Sequence, residues 1–177
     1  MAHIFLDTCV IKYRYITDRL WRSHRNKINR LIGDRKNITY IADATILELP
    51  SAFAGFCRGN SGTIRDYDTM DHAFMQDLAD SRFIVRPANK QLYILRARNL
   101  IRLGGVIHRR ELGSTDALIA TCALDLAHEL KERVRFFTSD KKLSGVLPLI
   151  DAFTTNLEII YIPPPVRPAP PAPPSGP

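Results

Sequence analysis

The chain has 177 residues, 45% of them hydrophobic and 24% charged, the composition of one folded domain of ordinary size, which excludes a wholly disordered or fibrous chain. Twenty-five Lys and Arg against 18 Asp and Glu leave a net charge of +7, compatible with a polyanionic partner and equally with a merely soluble surface. No apolar run approaches the roughly 20 residues that cross a bilayer. The start, Met1-Ala2-His3-Ile4-Phe5-Leu6-Asp7, has no basic segment ahead of a long apolar stretch, so no membrane association and a cytoplasmic location are expected.

In chain order, Ile4-Phe5-Leu6 is a short apolar run ended by Asp7-Thr8, the pattern of a strand buried on both faces. A basic stretch from about Thr17 to Ile32 follows, with Ile16, Leu20, Ile28, Leu31 and Ile32 spaced for an amphipathic helix. Ile38 to Ala42 reads as a second strand, with Asp43 placed to cap the next helix. That helix carries Ile46, Leu49, Phe53 and Phe56 on one stripe, with Pro50 inside it as a source of bending. A loop from Arg58 to Thr63 leads into a helix over about Arg65 to Asp80. Phe83-Ile84-Val85 is a third strand, and Asn89 to Leu103 a helix with Leu92, Leu95, Asn99 and Leu103 in line, ended by Gly104-Gly105. A strongly apolar helix begins at Ser114, with Leu118, Ile119, Cys122, Ala123, Leu126, Ala127 and Leu130 on its stripe. Val134 to Thr138 and Leu157 to Tyr161 complete the strands. Strands alternating with helices imply a parallel sheet covered on both faces, an α/β fold.

Nine of the twelve prolines fall in residues 163–177, so residues 1–162 are expected to form the folded body and 163–177 a polyproline-like or disordered tail. The tail contains Pro165-Val166-Arg167-Pro168, a P-x-x-P arrangement. The three cysteines, Cys9, Cys57 and Cys122, are too far apart for a disulfide framework or a zinc knuckle and read as small buried hydrophobes.

In an open α/β sheet, ligands bind beyond the carboxyl ends of the strands. Asp7 follows the first strand and Asp140 follows Phe136-Phe137-Thr138-Ser139, so both should emerge at one rim, and Asp116 lies in the first turn of the helix from Ser114. Each also has a local explanation, as a turn residue, a first-turn acid or a cap of a short helix before Lys141-Lys142. Glu48 has no capping role available; it shares a helix face with Ala44, Thr45, Ser51, Ala52 and Gly55, whose small side chains leave room beside it. Gathered carboxylates without a cationic partner repel, unless a hard divalent cation offsets them. Oxygen donors alone point to Mg²⁺ or Mn²⁺, and the absence of His or Cys at ligand spacing, with His3 and His108 isolated, argues against zinc. Such a centre activates water and stabilises a transferring phosphoryl group.

Asp7-Thr8 after an N-terminal strand, Glu48 in Thr45-Ile46-Leu47-Glu48-Leu49, Ser114-Thr115-Asp116-Ala117-Leu118-Ile119-Ala120 and Phe137-Thr138-Ser139-Asp140 together resemble, in order and approximate spacing, the PIN-domain ribonucleases. That family includes toxins of bacterial type II toxin-antitoxin pairs. The resemblance covers Ile4 to about Ile160; extra material around Thr17 to Asn37 and Arg58 to Asp80, and the proline tail, lie outside the pattern. It implies a three-layer α/β/α domain with a mainly parallel sheet that hydrolyses RNA. It further implies Mg²⁺ or Mn²⁺ held by the catalytic acids Asp7, Glu48, Asp116 and Asp140, with Thr8 and Thr138 nearby. A small protein antitoxin and a homodimer are the partners it implies.

Arg19, Arg22, Arg25, Lys27, Arg30, Arg35 and Lys36 form one basic stretch, and Arg96, Arg98, Arg102, Arg109 and Arg110 a second. Arg19, Arg22, Arg25, Arg109 and Arg110 are the candidate RNA contacts, with Tyr13, Tyr15 and Trp21 available to stack on bases; solvated faces and helix packing are the competing readings. A haloacid-dehalogenase-type phosphotransferase needs a second Asp where this chain has Cys9, and a receiver domain needs an acid after the third strand that is missing. The competing function is a catalytically silent PIN-like module that binds RNA or a partner.

Overall fold

The computed structural model describes residues 1–60, 62–88, 90–107, 109, 111–150 and 156–165. Arg110, His108, the expected helix start at Asn89 and most of the proline tail lie outside the described residues. The chain runs β1 (Ala2–Leu6), α1 (Thr8–Ile11), α2 (Arg22–Gly33), β2 (Asn37–Ala42), α3 (Asp43–Gly59), α4 (Ile64–Ala79), β3 (Ile84–Arg86), α5 (Gln91–Arg102), α6 (Ser114–Leu130), β4 (Val134–Thr138), α7 (Lys141–Val146) and β5 (Leu157–Tyr161). The five strands form one sheet in the order β3-β2-β1-β4-β5, with every pairing parallel. The expected α/β class and three-layer architecture are what the structure has.

Alternation along the strands builds two cores, one on each face. Ile4, Leu6, Ile41 and Phe137 point into a layer with α1, α2, α3 and α4, where Ile11, Ile28, Phe53 and Phe74 meet them. Phe5, Tyr40, Phe136 and Val134 point the other way, against Tyr93, Leu100, Ile119, Ala123 and Leu143 of α5, α6 and α7. β1 is central with β4 beside it, and Ile4-Phe5-Leu6 and Phe136-Phe137 are buried on both faces, hence the short apolar runs, while Arg135 is the exposed residue of β4.

Several local expectations are corrected. The basic helix is in two parts, a 3₁₀ turn over Arg19–Trp21 capped by Asp18 and then α2; Ile16 lies before both and packs in the core. Asp43 does not cap α3 but is its first residue, because its Oδ1 accepts the Ala88 N–H (2.8 Å) and ties α3 to the segment after β3. α3 continues through Pro50 to Gly59, shortening the expected loop. α5 buries Tyr93, Ala97 and Leu100, while Leu92 and Leu95 are half exposed. Gly104 and Gly105 sit in a π-helical turn over Leu103–Ile107. Neither α1 nor the short α7 was expected as an element, beyond the possibility that Asp140 caps one.

Candidate active site

The strand order reverses between β1 and β4: from β1 the chain moves outward to β2 and β3, then returns to β4 and β5 on the other side. That reversal opens a crevice at the carboxyl ends of β1 and β4. Asp7 stands at the end of β1, its N–H bonded to the Phe137 carbonyl at 3.0 Å, and Thr138, Ser139 and Asp140 stand at the end of β4. The crevice is therefore built from residues 131 apart in sequence.

Asp7 is 1% exposed, and its two oxygens have unlike surroundings. Oδ2 accepts from the Thr138 hydroxyl (2.6 Å) and from the Cys9 thiol (2.8 Å). Both donors are themselves oriented from β4's exit: the Asp140 N–H donates to Thr138 Oγ1 (3.0 Å) and the Ser139 N–H to Cys9 Sγ (2.9 Å). Oδ1 is buried with no hydrogen-bond partner among the described residues. Burial pushes the Asp7 carboxyl above its ordinary range, against the Cys9 and Thr138 bonds that favour the anion; the Glu48 charge adds to the rise.

Cys9 corrects its expected role as an inert apolar residue. Cys57 and Cys122 are buried, but Cys9 is half-buried and its thiol points at the first acid. Burial, then the Asp7 charge, pushes that thiol well above the usual range, so it is an S–H donor at neutral pH and not a thiolate nucleophile.

Glu48 stands on α3 opposite α1. The Thr8 hydroxyl donates to its Oε2 at 2.6 Å and lies 3.3 Å from the Thr45 hydroxyl. Thr8 is thus the side chain that orients Glu48, while Thr138 orients Asp7. Asp116 occupies the first turn of α6, where the helix dipole favours an anion. It is nevertheless pushed up to about 6, first by desolvation and then by the charges of Asp7, Asp140 and Glu48. Gly113 precedes this helix, and a Cβ there would come within 2.6 Å of Asp116 Oδ2, so only glycine lets the carboxylate fold back over the helix start. Asp140 caps α7, its Oδ1 accepting the Lys142 (2.6 Å) and Leu143 (3.0 Å) N–H groups. The capping role and electrostatic reach to Asp116 coexist.

Glu48 and Asp116 open onto a cleft of about 590 Å³, lined also by Thr8, Cys9, Lys12 and Thr115, with Ala44, Ser51 and Ala52 as its small-residue wall; Asp7 and Asp140 are not in its lining. Lys12 was not anticipated. It lies four residues beyond Thr8, one turn along the α1 segment and its 3₁₀ continuation, and that spacing is the signal that could have found it.

Of the expected RNA contacts, Arg19 and Arg22 are exposed on the α2 side, Arg25 donates to the Ile16 carbonyl (3.1 Å), and none of the three lines this cleft. Arg109 is exposed. Tyr13 and Tyr15 are buried, not available for stacking: Tyr13 donates to Ser139 Oγ (2.9 Å) and Tyr15 to Asp77 (2.9 Å). Trp21 packs between Tyr13 and Phe56.

A buried carboxylate oxygen without a partner costs at least about 1–3 kcal/mol, and a cation is the partner of the right sign for Asp7 Oδ1. The neighbouring donors are hard oxygens, the set that suits Mg²⁺ or Mn²⁺. Among the described residues no group of three or more His, Cys, Asp or Glu side chains stands close enough together to hold a metal ion. The fit to such an ion rests on the donor chemistry and on the orphaned Asp7 oxygen.

No family model and no curated protein matches the sequence. Solved structures do match the fold: VapBC2 from Rickettsia felis bound to a DNA fragment from their promoter, at 16% identity and TM-score 0.55 over 90% of this chain and 98% of that one. FitAcB from Neisseria gonorrhoeae matches at 16% identity and TM-score 0.51 over 88% and 95%, and FitAB bound to an IR36 DNA fragment at 16% and 0.53 over 89% and 94%. Likeness at this identity is a likeness of fold, and the chain has the PIN-like α/β/α fold that its sequence motifs imply.

Proposed function

We propose that the chain is a Mg²⁺- or Mn²⁺-dependent endoribonuclease, the toxin of a toxin-antitoxin pair, with Asp7, Glu48, Asp116 and Asp140 as the acids that hold the ion. The observation that carries this reading is Asp7 Oδ1, buried and unpartnered at a rim where the charges of Asp7, Asp140 and Glu48 raise the proton affinity of Asp116. A purely structural cluster would satisfy that oxygen or expose it.

A hard divalent ion, when bound, supplies an activated water and offsets charge on the phosphoryl group in flight. The chain's own residues prepare the site for it. Thr138 and Cys9 hold Asp7 Oδ2, leaving Oδ1 as the free donor. Thr8 fixes Glu48 across the cleft. Asp116, with its pKa near 6, keeps a proton in mildly acidic metal-free solution and gives it up more readily beside a cation. The wall of Ala44, Ser51 and Ala52 leaves the cleft open to a sugar-phosphate strand. No helix among the described residues is long and apolar enough to cross a membrane.

The toxin part of the reading, with a small protein antitoxin and a second copy of the chain as partners, is supported by the fold shared with the VapBC2 and FitAB complexes. The test is cleavage of end-labelled RNAs with Mn²⁺, Mg²⁺ or EDTA. The native chain should cleave with either ion and not in EDTA, and Asp116→Asn should be at least about 100-fold slower, roughly 3 kcal/mol in the barrier. Native protein that binds RNA but cleaves none of a varied set leaves the silent RNA-binding module as the correct reading. Growth arrest on expressing the native chain but not Asp116→Asn tests the toxin role; no arrest counts against it.

A further inference from the structure

Two clefts of similar size are tied to the acids, the first lined by Glu48 and Asp116 and the second by residues next in the chain to Asp140, and each contains basic groups not engaged by acids. The first, of about 590 Å³, has Lys12 as its basic lining residue beside Glu48 and Asp116. The second, of about 520 Å³, is lined by Arg109, Glu111, Lys141 and Lys142. The same two segments deliver the acids and the second cleft: Lys141 and Lys142 follow Asp140 directly, and Glu111 precedes the Gly113 turn that places Asp116.

None of these four cations forms an ion pair among the described residues. The Lys12 ammonium lies 5.8 Å from the Tyr13 ring centroid. No acid stands within ion-pair distance of the Lys12 ammonium among the described residues, so Lys12 is not paired with the carboxylate rim. A strand of phosphates entering an acidic rim is repelled at the rim itself, and cations set to either side are what make its approach favourable. Neither cleft has an aromatic side chain in its lining, so neither offers the stacking platform by which single-strand binders hold bases.

We propose that an RNA strand crosses the carboxylate rim with its backbone phosphates gripped on one side by Lys12 and on the other by Arg109, Lys141 and Lys142, and that these clefts hold the strand without reading its bases. This deepens the ribonuclease reading and rests on it. It also relocates the strand: Arg19, Arg22 and Arg25 of the basic stretch line neither cleft. Contacts made to phosphates position a nucleic acid without specifying it.

The test is anisotropy of fluorescein-labelled oligouridylate and oligoadenylate of about 12 nucleotides, with the full chain in EDTA so that nothing is cleaved, at a series of salt concentrations. Native protein should bind the two within about twofold of each other, since no stacking or base-edge contact separates them. Lys12→Gln should weaken binding about threefold to tenfold and flatten the slope of log affinity against log salt by about 0.7, the value for one phosphate contact on a single strand. The Lys141→Gln/Lys142→Gln pair should flatten it by about 1.4. Lys12→Arg should keep the native slope, and Arg65→Gln, on exposed α4, should change nothing. Circular dichroism of each variant reports that it is folded. Native slopes in the Lys12 and Lys141/Lys142 variants overturn the proposed path while metal-dependent cleavage by the native chain keeps the nuclease reading. A preference above about tenfold for one homopolymer overturns base-blind gripping. Native protein that neither binds nor cleaves RNA removes both readings.

Discussion

Two buried acids, Asp77 and Asp7, were folded into the protein in opposite ways. Asp77 on α4 is 8% exposed, and its oxygens are fully engaged: Arg14 donates Nε at 2.5 Å and Nη2 at 2.9 Å, and the Tyr15 hydroxyl donates at 2.9 Å. Desolvation alone would raise its pKa, but the Arg14 and Tyr15 bonds and the Arg14 charge outweigh that and hold it below the ordinary value. Asp7 is more deeply buried, meets only neutral donors on one oxygen, has none on the other, and is raised. A carboxylate buried with its cation fastens α4 to the turn after α1. One buried without a cation, with one oxygen unpartnered, lowers the stability of the metal-free fold.

The largest effect that tests this contrast is expected at the satisfied site. Asp77→Asn strips the charge from a paired, partly buried Arg14 and should cost about 3 kcal/mol, read as a lower urea midpoint. A loss below about 1 kcal/mol would show that the pair is not a fastening. At the unsatisfied site, Mn²⁺ at 100 times its dissociation constant should stabilise the native chain by about 2.7 kcal/mol and raise its melting temperature. Asp7→Asn should abolish that rise while being no less stable than native without metal; marked destabilisation of Asp7→Asn in EDTA would instead make Asp7 a structural turn residue.

The smallest effect is in pH dependence, where the two sites act with opposite sign. Asp116 has a folded pKa near 6 against 3.8 for the free side chain. Between those values the native state holds a proton that the unfolded state has released, so metal-free stability falls as pH rises through this window. Asp77, lowered in the fold, contributes stability that is present above pH 3.8 and lost as pH falls below it. Thermal melts in EDTA should therefore show a decline between pH 4 and 6 that Asp116→Asn flattens; an unchanged decline in that variant would place its origin elsewhere.

The legible parts of the molecule are those in which neighbours in sequence carry the signal. α6 was evident because its apolar residues repeat over 17 positions, and the central strands because both faces are apolar. The outward face of α5 was misassigned because Leu92, Ile94 and Leu95 compete with Tyr93, Ala97 and Leu100 for the same periodicity, and contact with α6 decides which set is buried. Cys9 and Lys12 were missed for one reason. α1 begins immediately after Asp7 and is four residues long, too short for a periodic pattern, yet its single turn brings the thiol back to Asp7 Oδ2 and places Lys12, which follows it, in the lining of the cleft.

By itself the sequence determined an alternating α/β order and that Asp7 and Asp140 each follow a strand, since those properties depend on local apolar patterning. Tertiary structure decided that β4 lies beside β1 and not beyond β3, which is what brings Thr138 to Asp7 across 131 positions. It also decided which oxygen of Asp7 is satisfied and which is left bare. Parallel pairing and its register are fixed by contacts distant in sequence, so the bare oxygen is a property of the assembled sheet.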